Sequence, residues 1–125
     1  MFFIGSHCAA LEAILLCSAV ESVIQALMYE ARLIENRLQR LENECASRPK
    51  GSIILKPRYR EVYAYLQWRE GEHVLSRYLG KKDSWQCRSM QAKIMERRKY
   101  EVEMKHMREK LRRVKHLLNE AQKIS

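Results

Sequence analysis

The apolar residues in the first third of the chain recur at alternating steps of three and four, a period of 3.5 residues. This period keeps one apolar stripe aligned along a supercoiled helix, so it predicts a long helix that pairs with another helix in a coiled coil. Ser47 and Pro49 end the pattern, because proline disfavours helix in the residue before it. The helix is predicted over about residues 7–46, with these seam residues: Cys17, Val20, Ile24, Leu27, Ala31, Ile34, Leu38, Leu41 and Cys45.

A second helix is predicted over about residues 84–123, where the same stepping returns. Asp83 is the predicted N-cap, because its carboxylate can accept hydrogen bonds from the exposed N–H groups of the first turn. The regular part of this second seam consists of Met104, Met107, Leu111, Val114, Leu118 and Ala121. The earlier part of the helix is predicted to bury Trp85, Met90, Ile94 and Tyr100.

Between the helices, about residues 51–80 show the two-residue alternation that is typical of β-strands. A hairpin turn is predicted at residues 70–72, where Gly71 can take a positive φ, and the other connection is predicted at residues 57–61. Strands joined by short turns predict an antiparallel β-meander, and a sheet this small needs one covered face. The predicted strands are residues 52–56, 62–69 and 73–79.

The predicted fold class is therefore α+β, mainly α: two long helices in an antiparallel coiled coil, with an inserted three-stranded antiparallel β-meander. One domain is predicted over residues 1–125, and residues 1–6 are predicted as a loose tail. Glu12 interrupts the apolar N-terminal stretch, which favours a helix start over a secretory signal or a membrane span. An over-extended translation start is a further alternative. A homodimer would satisfy the same seam between two chains and also stays open.

The formal net charge of +9 is distributed unevenly. Residues 1–49 hold 4 Lys/Arg against 6 Asp/Glu, residues 50–82 hold 8 against 3, and residues 83–125 hold 12 against 6. The basic charge thus lies in the meander and the second helix, where it would attract polyanions. Nucleic acid is the expected partner, an acidic protein surface is the next, and no membrane partner is expected. The alternative is a solvated basic helix face that pairs with the acidic first helix.

The sequence carries no pattern that predicts catalysis or a metal site. Its four cysteines include no CxxC pair, and its four histidines do not cluster beside them. It has no nucleophile elbow, phosphate loop or metal motif. We therefore expect no enzymatic activity, no metal and no cofactor. Cys17 and Cys45 fall at core-like helical positions, so buried thiols in a reducing cytosol are the simplest account of them, which predicts a cytoplasmic protein.

The meander carries the candidate binding residues. Alternation along its second strand places Tyr63, Tyr65 and Gln67 on one face, while the other face can pack on the helices. The exposed face could enter a DNA major groove, or its tyrosines could stack on unpaired bases. Alternatively, the aromatic residues form only the core of a small sheet. The candidate site residues are Lys56, Arg58, Arg60, Tyr63, Tyr65, Gln67, Arg69, Arg77, Lys81 and Lys82.

A second basic element lies on the second helix, at residues 97–99 and along residues 105–115. Cations spaced along one helix could follow a phosphate backbone. The alternative is a solvated helix exterior.

Residues 51–82 read GSIILKPRYREVYAYLQWREGEHVLSRYLGKK. This segment resembles the signature of a family of small uncharacterised proteins of Firmicute bacteria and their mobile elements, and it covers about a quarter of the chain. The resemblance implies the β-unit but no settled activity. The unit is also similar, more weakly, to the three-stranded arm-binding module of tyrosine integrases, and that likeness implies DNA binding through the sheet. The residues that match the first signature, that of the small uncharacterised proteins, are Gly51, Ser52, Lys56, Tyr63, Tyr65, Leu66, Gln67, Trp68, Arg69, Glu70, Gly71, Ser76, Tyr78, Leu79, Gly80 and Lys81.

The expected function is that of a non-enzymatic protein that binds nucleic acid, DNA first, through the basic aromatic meander and the basic second helix. A mobile element or its host is the expected source. One alternative is a protein-targeting inhibitor or adaptor, for example one that acts on a nuclease or a CRISPR effector. The other alternative is a structural coiled coil in which the meander is only a stabilising tip.

Overall fold

The computed structural model describes residues 2–124, with side chains described from Leu15 onward. Two helices with an inserted three-stranded antiparallel sheet confirm the predicted α+β, mainly α, fold. The first helix starts earlier than predicted, so the prediction of a loose tail before residue 7 is wrong from Phe2 onward. In chain order the elements are α1 (Phe2–Ala46), β1 (Ser52–Arg58), β2 (Glu61–Glu70), β3 (His73–Lys81) and α2 (Trp85–Ile124).

The chain forms two compact units. The first unit combines the part of α1 up to Gln39 with the part of α2 from His106 onward. The second unit is Arg40–Lys105, which holds the end of α1, the whole sheet and the start of α2.

In the first unit, the late part of α2 runs antiparallel to the described part of α1. Ile124, near the end of α2, lines a groove with Val20 and Ile24. Further along α1, the Glu30 carboxylate lies 3.1 Å from the Lys110 ammonium. The predicted apolar stripe is confirmed by the buried residues of this unit, which are Ala31, Ile34, Leu38 and Val114.

The seam prediction is wrong at Cys17, whose side chain is exposed. Cys17 lines a groove with Ile124, the last described residue of α2, and the thiol is open to solvent there. The two preceding residues, Leu15 and Leu16, are each 67% exposed.

The sheet of the second unit has the strand order β1-β2-β3, with both neighbouring pairs antiparallel. A two-residue turn, Tyr59 and Arg60, joins β1 to β2, and this connection is shorter than predicted. Gly71 and Glu72 form the second turn. Gly71 has a φ of 60°, which confirms the prediction of a hairpin with glycine at positive φ.

One face of the sheet packs on α2, as predicted for a sheet of this size. Because the pleat alternates, this inner face takes every second residue of each strand. Its buried core consists of Ala64, Leu66, Leu79, Cys87 and Ile94. Partly buried around that core are Ile53, Trp68 and Met90.

Two predictions at the start of α2 are wrong. Trp85 is 76% exposed rather than buried, because it lies two positions before the buried Cys87 and therefore projects from a different side of the helix. Ser84 is the N-cap instead of Asp83: its hydroxyl accepts a hydrogen bond from the Cys87 N–H at 3.2 Å. Asp83 has a φ of 63°, whereas an N-cap residue typically has an extended backbone.

Arg48, just after α1, holds the end of that helix to α2. Its guanidinium binds the carboxylates of Glu44 at 2.6 Å and Glu96 at 2.8 Å, and these two groups raise the pKa of Arg48. The same guanidinium lies 4.8 Å from the centroid of the half-buried Tyr100 ring. The end of α1 is therefore anchored where the chain turns towards the sheet.

Candidate nucleic-acid interface

Alternation along β2 divides the sheet into two faces. Ala64 and Leu66 belong to the inner face, so their neighbours Tyr63 and Tyr65 point to the opposite side, which we call the outer face. By the register of the sheet, the outer face consists of Ser52, Ile54, Lys56, Arg58, Glu61, Tyr63, Tyr65, Gln67, Arg69, Val74, Ser76, Tyr78 and Lys81.

A β-bulge in β3 determines which of its residues reach the outer face. The register shifts by one residue after the Tyr65–Tyr78 pair, because Leu79 has no partner on β2. Tyr78 and Lys81 are three positions apart and would lie on opposite faces of a regular strand. With the bulge, Leu79 enters the core while Lys81 pairs with Tyr63 on the outer face.

Three tyrosines form a cluster on the outer face. The ring centroids of Tyr65 and Tyr78 are 5.4 Å apart, and those of Tyr63 and Tyr78 are 6.1 Å apart. The Lys56 ammonium lies 4.9 Å from the Tyr65 centroid, within the range of a cation–π contact. Tyr78 is 56% exposed and the other two rings are half-buried. The cluster therefore shows aromatic surface to solvent while its mutual contacts hold the rings in place.

Glu61 is the single carboxylate of the outer face. Its two oxygens lie 3.0 and 3.1 Å from Lys81 Nζ, and it accepts a hydrogen bond from the Tyr63 hydroxyl at 3.1 Å. The hydrogen bond from Lys81, and then the one from Tyr63, lower the pKa of Glu61. Glu61 in turn raises the pKa values of Lys81 and Tyr63. At neutral pH the Glu61 carboxylate is therefore charged, and it neutralises one cation of this face.

The other cations of the outer face surround the tyrosine cluster. Arg58 pairs with Glu61 at one end of the sheet. Arg69 lies towards the opposite end, near the Gly71 turn. Neither Arg58 nor Arg69 forms an ion pair with another residue that the structure describes. A chain of phosphates that crossed the aromatic cluster would thus meet a cation at each end.

The turn between β1 and β2 presents Tyr59 to solvent between Arg58 and Arg60. Tyr59 is fully exposed and has a φ of 57°. A left-handed backbone costs a residue other than glycine roughly 1–2 kcal/mol. The Tyr59 ring buries no surface that would offset this strain, so the turn is a feature that contact with a partner could explain.

The structure does not bring all ten candidate residues to one surface. Seven lie on the outer face, and Arg60 lies in the adjoining turn. Arg77 pairs with Leu66 and thus belongs to the inner side of β3, where it lines a groove with Trp85. Lys82 follows β3, and its backbone N–H donates to the Val62 carbonyl at 2.9 Å. The seven on the outer face are Lys56, Arg58, Tyr63, Tyr65, Gln67, Arg69 and Lys81.

Several basic residues of α2 bind other parts of the protein. Arg97 donates to the Arg48 carbonyl at 2.7 Å, and Arg98 donates to the Gly51 carbonyl at 3.3 Å. Both arginines therefore hold the segment that connects α1 to β1. In the first unit, Lys110 forms its ion pair with α1. These contacts give Arg97, Arg98 and Lys110 a structural role, and the sheet, with its cluster of tyrosines, is the better candidate interface.

Within the part of the chain that the structure describes, no group of three or more His, Cys, Asp or Glu side chains could hold a metal ion. No helix within residues 2–124 is long and apolar enough to cross a membrane. Cys17, Cys45 and Cys87 are free thiols, and the last two are buried.

A family model described as a domain of unknown function, DUF6788, matches residues 31–88. The matched range holds the later part of α1, the entire sheet and the first residues of α2, so it includes every candidate site residue. The match is consistent with the expected uncharacterised family and assigns no activity. No curated protein and no solved structure matches this chain.

Tyr78 is the main site residue that sequence analysis missed. The signal was available in the turn at Gly71, because a two-residue hairpin turn fixes the cross-strand register. Counting outward from that turn pairs Arg69 with Val74 and Tyr65 with Tyr78. The register therefore joins Tyr78 to the face that already carried the predicted tyrosines.

Proposed function

We propose that this protein is a non-enzymatic nucleic-acid-binding protein whose principal contact surface is the outer face of the sheet. The observation that carries the proposal is the tyrosine cluster: Tyr78 contacts both Tyr63 and Tyr65 on the side of the sheet that faces away from α2. Cations surround the rings, and only one carboxylate lies among them. DNA is the first nucleic acid to test.

Aromatic rings held in this way can bind bases without reading sequence. Stacking of a base on an aromatic side chain contributes about 1–3 kcal/mol per base, and every base has a suitable π-face. The contacts of Tyr78 with Tyr63 and Tyr65 restrict the rings before binding, which lowers the entropy lost in the complex. Lys56, Arg58 and the other cations would then neutralise phosphates and release counterions.

Source and compartment form part of the same proposal. The likeness of residues 51–82 to small proteins of Firmicute mobile elements supports a protein of that kind. The buried thiols of Cys45 and Cys87 suit a reducing compartment, which supports the cytoplasm.

Fluorescence anisotropy with labelled single-stranded and duplex DNA tests the proposal. We expect an association constant that falls steeply between about 50 and about 200 mM salt. Replacing Tyr65 and Tyr78 together by alanine should weaken binding at least tenfold, because two stacking surfaces are lost. Tyr29→Ala is the matched control, since Tyr29 is a 63% exposed tyrosine on α1 and lies outside the sheet.

Three results would count against the proposal. These are no binding at low salt, binding that salt does not change, and an equal effect of the double variant and the Tyr29→Ala control. A stable protein complex from a nuclease-treated host lysate, together with no affinity for free nucleic acid, would favour a protein-targeting inhibitor or adaptor instead.

A further inference from the structure

Trp85 is the most exposed large side chain at the start of α2. It follows the N-cap Ser84 and is 76% exposed. The other tryptophan, Trp68, is partly buried, and its indole N–H donates to Glu70 at 3.1 Å. The fold therefore buries one indole in part and leaves the surface of the other open to a ligand.

Trp85 lines a groove that lies between β3 and the first turns of α2, with a volume of about 390 Å³. Arg77 and Lys93 supply two cations to this groove, and none of its lining residues is acidic. The volume is within the range of sites for small organic ligands, about 300–1000 Å³. An aromatic surface beside two cations and no carboxylate suits a nucleotide, whose base can stack and whose phosphate needs a counter-charge.

The groove adjoins the outer face at one residue, Tyr78. This tyrosine contacts Tyr65 in the cluster and also lines the groove that holds Trp85. β3 is an edge strand, so no further strand separates its outer side from its inner side. A flexible chain could therefore pass from the tyrosine cluster across the β3 edge to the groove.

We propose that the groove of Trp85, Arg77 and Lys93 is a second base-stacking site, and that one unpaired nucleic-acid strand occupies it together with the tyrosine cluster. The inference rests on the proposed function and specifies its ligand. A duplex keeps its base faces inside the stack, so it can offer them neither to Tyr78 nor to Trp85. An unpaired strand can splay successive bases onto both surfaces.

NMR of the wild-type protein tests the second site directly. The chain has two tryptophans, so its spectrum contains two indole N–H signals, and the Trp85→Leu variant assigns them. We expect the Trp85 signal to shift during titration with oligothymidylate. Oligouridylate as a second ligand distinguishes unpaired DNA from unpaired RNA, and the same thymidylate paired with its complement is the duplex control.

Affinity measurements complete the test. Trp85→Leu should weaken binding of the unpaired strand by about tenfold or more. Arg77→Gln should lower the slope of log K against log salt by about 0.7, the loss of one phosphate contact. Val102→Ala, at an exposed position on α2 outside the groove, is the control and should bind as tightly as the wild type.

The outcomes separate this inference from the proposed function. If the strand binds with the expected dependence on Tyr65 and Tyr78, but Trp85 neither shifts nor affects affinity, the second site is refuted and the function stands. Equal shifts of Trp85 with duplex and unpaired strands would refute the unpaired ligand. If no nucleic acid binds at low salt, the proposed function fails, and the second site fails with it.

Discussion

At Gly51 the backbone of the chain comes too close to β2 for any side chain. Its φ is 122°, and a Cβ at this position would collide with the backbone carbonyl of Gln67. The Gly51 carbonyl also accepts a hydrogen bond from Arg98, so the peptide cannot easily move away. Gly71 differs, because its φ of 60° demands glycine-like freedom but nothing lies within 4 Å of a Cβ placed there.

These two glycines give a matched pair of substitutions. Gly51→Ala should destabilise the protein by about 2–5 kcal/mol, since backbone strain and a steric collision add together. Gly71→Ala should cost only about 1–2 kcal/mol, the strain of the left-handed backbone alone. Urea unfolding of both variants measures the difference. Equal losses of stability would show that the close approach at Gly51 is unimportant.

The hydrogen bonds at Glu61 predict a pH dependence at the acid end. Its carboxyl has a pKa below the ordinary 4.5 in the folded protein, because Lys81 and then Tyr63 donate to it. The stabilisation is thus complete above the unfolded pKa and is lost as the pH falls through the lower folded pKa. In thermal unfolding, wild type should exceed Glu61→Gln in stability at neutral pH, and the gap should close below that folded value. A gap that stays constant down to about pH 2 would contradict this account.

At the scale of the element, α1 is a helix with a single buried stripe. From Ala31 onward, its buried positions follow the predicted steps of three and four, while Leu33 between them is 44% exposed. Leu41 is the most deeply buried large side chain of the described residues, at 1% exposure. Burial of the apolar stripe, rather than intrinsic helix propensity, is therefore the main source of the stability of α1 in each unit.

Replacing either of two leucines of α1 by alanine tests whether burial in the stripe determines the stability, because both variants lose the same atoms. Leu41→Ala should destabilise the protein by about 2–5 kcal/mol, because it removes buried methyl groups and leaves a cavity. Leu33→Ala makes the same change in helix propensity at an exposed position, so it should lower the free energy of unfolding by less than about 1 kcal/mol. Chemical denaturation of both variants, with helix content followed by circular dichroism, compares them. Similar losses would mean that the stripe does not dominate the stability of α1.

An element could be predicted from the sequence when residues close to it in the chain determine its structure. Period and turn chemistry are local, so both helices, all three strands and the Gly71 turn were predictable. The cap of α2 was not, because the backbone at Asp83 turns left-handed and passes the role to Ser84. The exposure of Cys17 depends on its surroundings in the folded chain, where it lines a groove with Ile124 of α2, and not on the local apolar period.

The candidate site could also be predicted only where neighbouring residues in the sequence determine its structure. Alternation predicted that Tyr63, Tyr65 and Gln67 share a face, and the register confirms it. The bulge at Leu79 had no clear signal in the sequence, yet it moves Lys81 onto that face. One inserted residue reverses the direction of every later side chain in a strand, so a site assigned by alternation alone loses accuracy beyond any bulge.

At the scale of the whole molecule, the count of 24 Lys and Arg residues overstates the number of cations that are free to bind. Arg48, Arg97 and Lys110 are among the cations that form ion pairs with carboxylates. On the outer face only Lys81 is paired in this way, through Glu61. Lys56, Arg58 and Arg69 form no ion pair with another described residue, so these cations around the tyrosine cluster are available to a ligand.

Removing the one carboxylate of that face should strengthen binding. Glu61→Gln frees Lys81 for a phosphate and abolishes a repulsive charge, so affinity for nucleic acid should rise several-fold at low salt. The slope of log K against log salt should steepen by about 0.7–0.9, which corresponds to one additional phosphate contact. Glu72→Gln, in the exposed Gly71 turn, removes equal charge outside this network and is the control. Equal gains from both variants would indicate a general charge effect.

The meander joins each strand to its neighbour in sequence, and this has a consequence for the folding rate of the protein. Its turns close loops of two residues, whereas the contact of Arg48, just after α1, with Glu96 and the contact of Cys45 with Met104 join positions 48 and 59 residues apart. Short loops close at lower entropic cost, so the sheet should be formed in the folding transition state and the helix pairing should follow. In stopped-flow kinetics, Tyr78→Ala should therefore mainly slow folding, and Met104→Ala should mainly speed unfolding. The reverse pattern would place the folding nucleus in the helices.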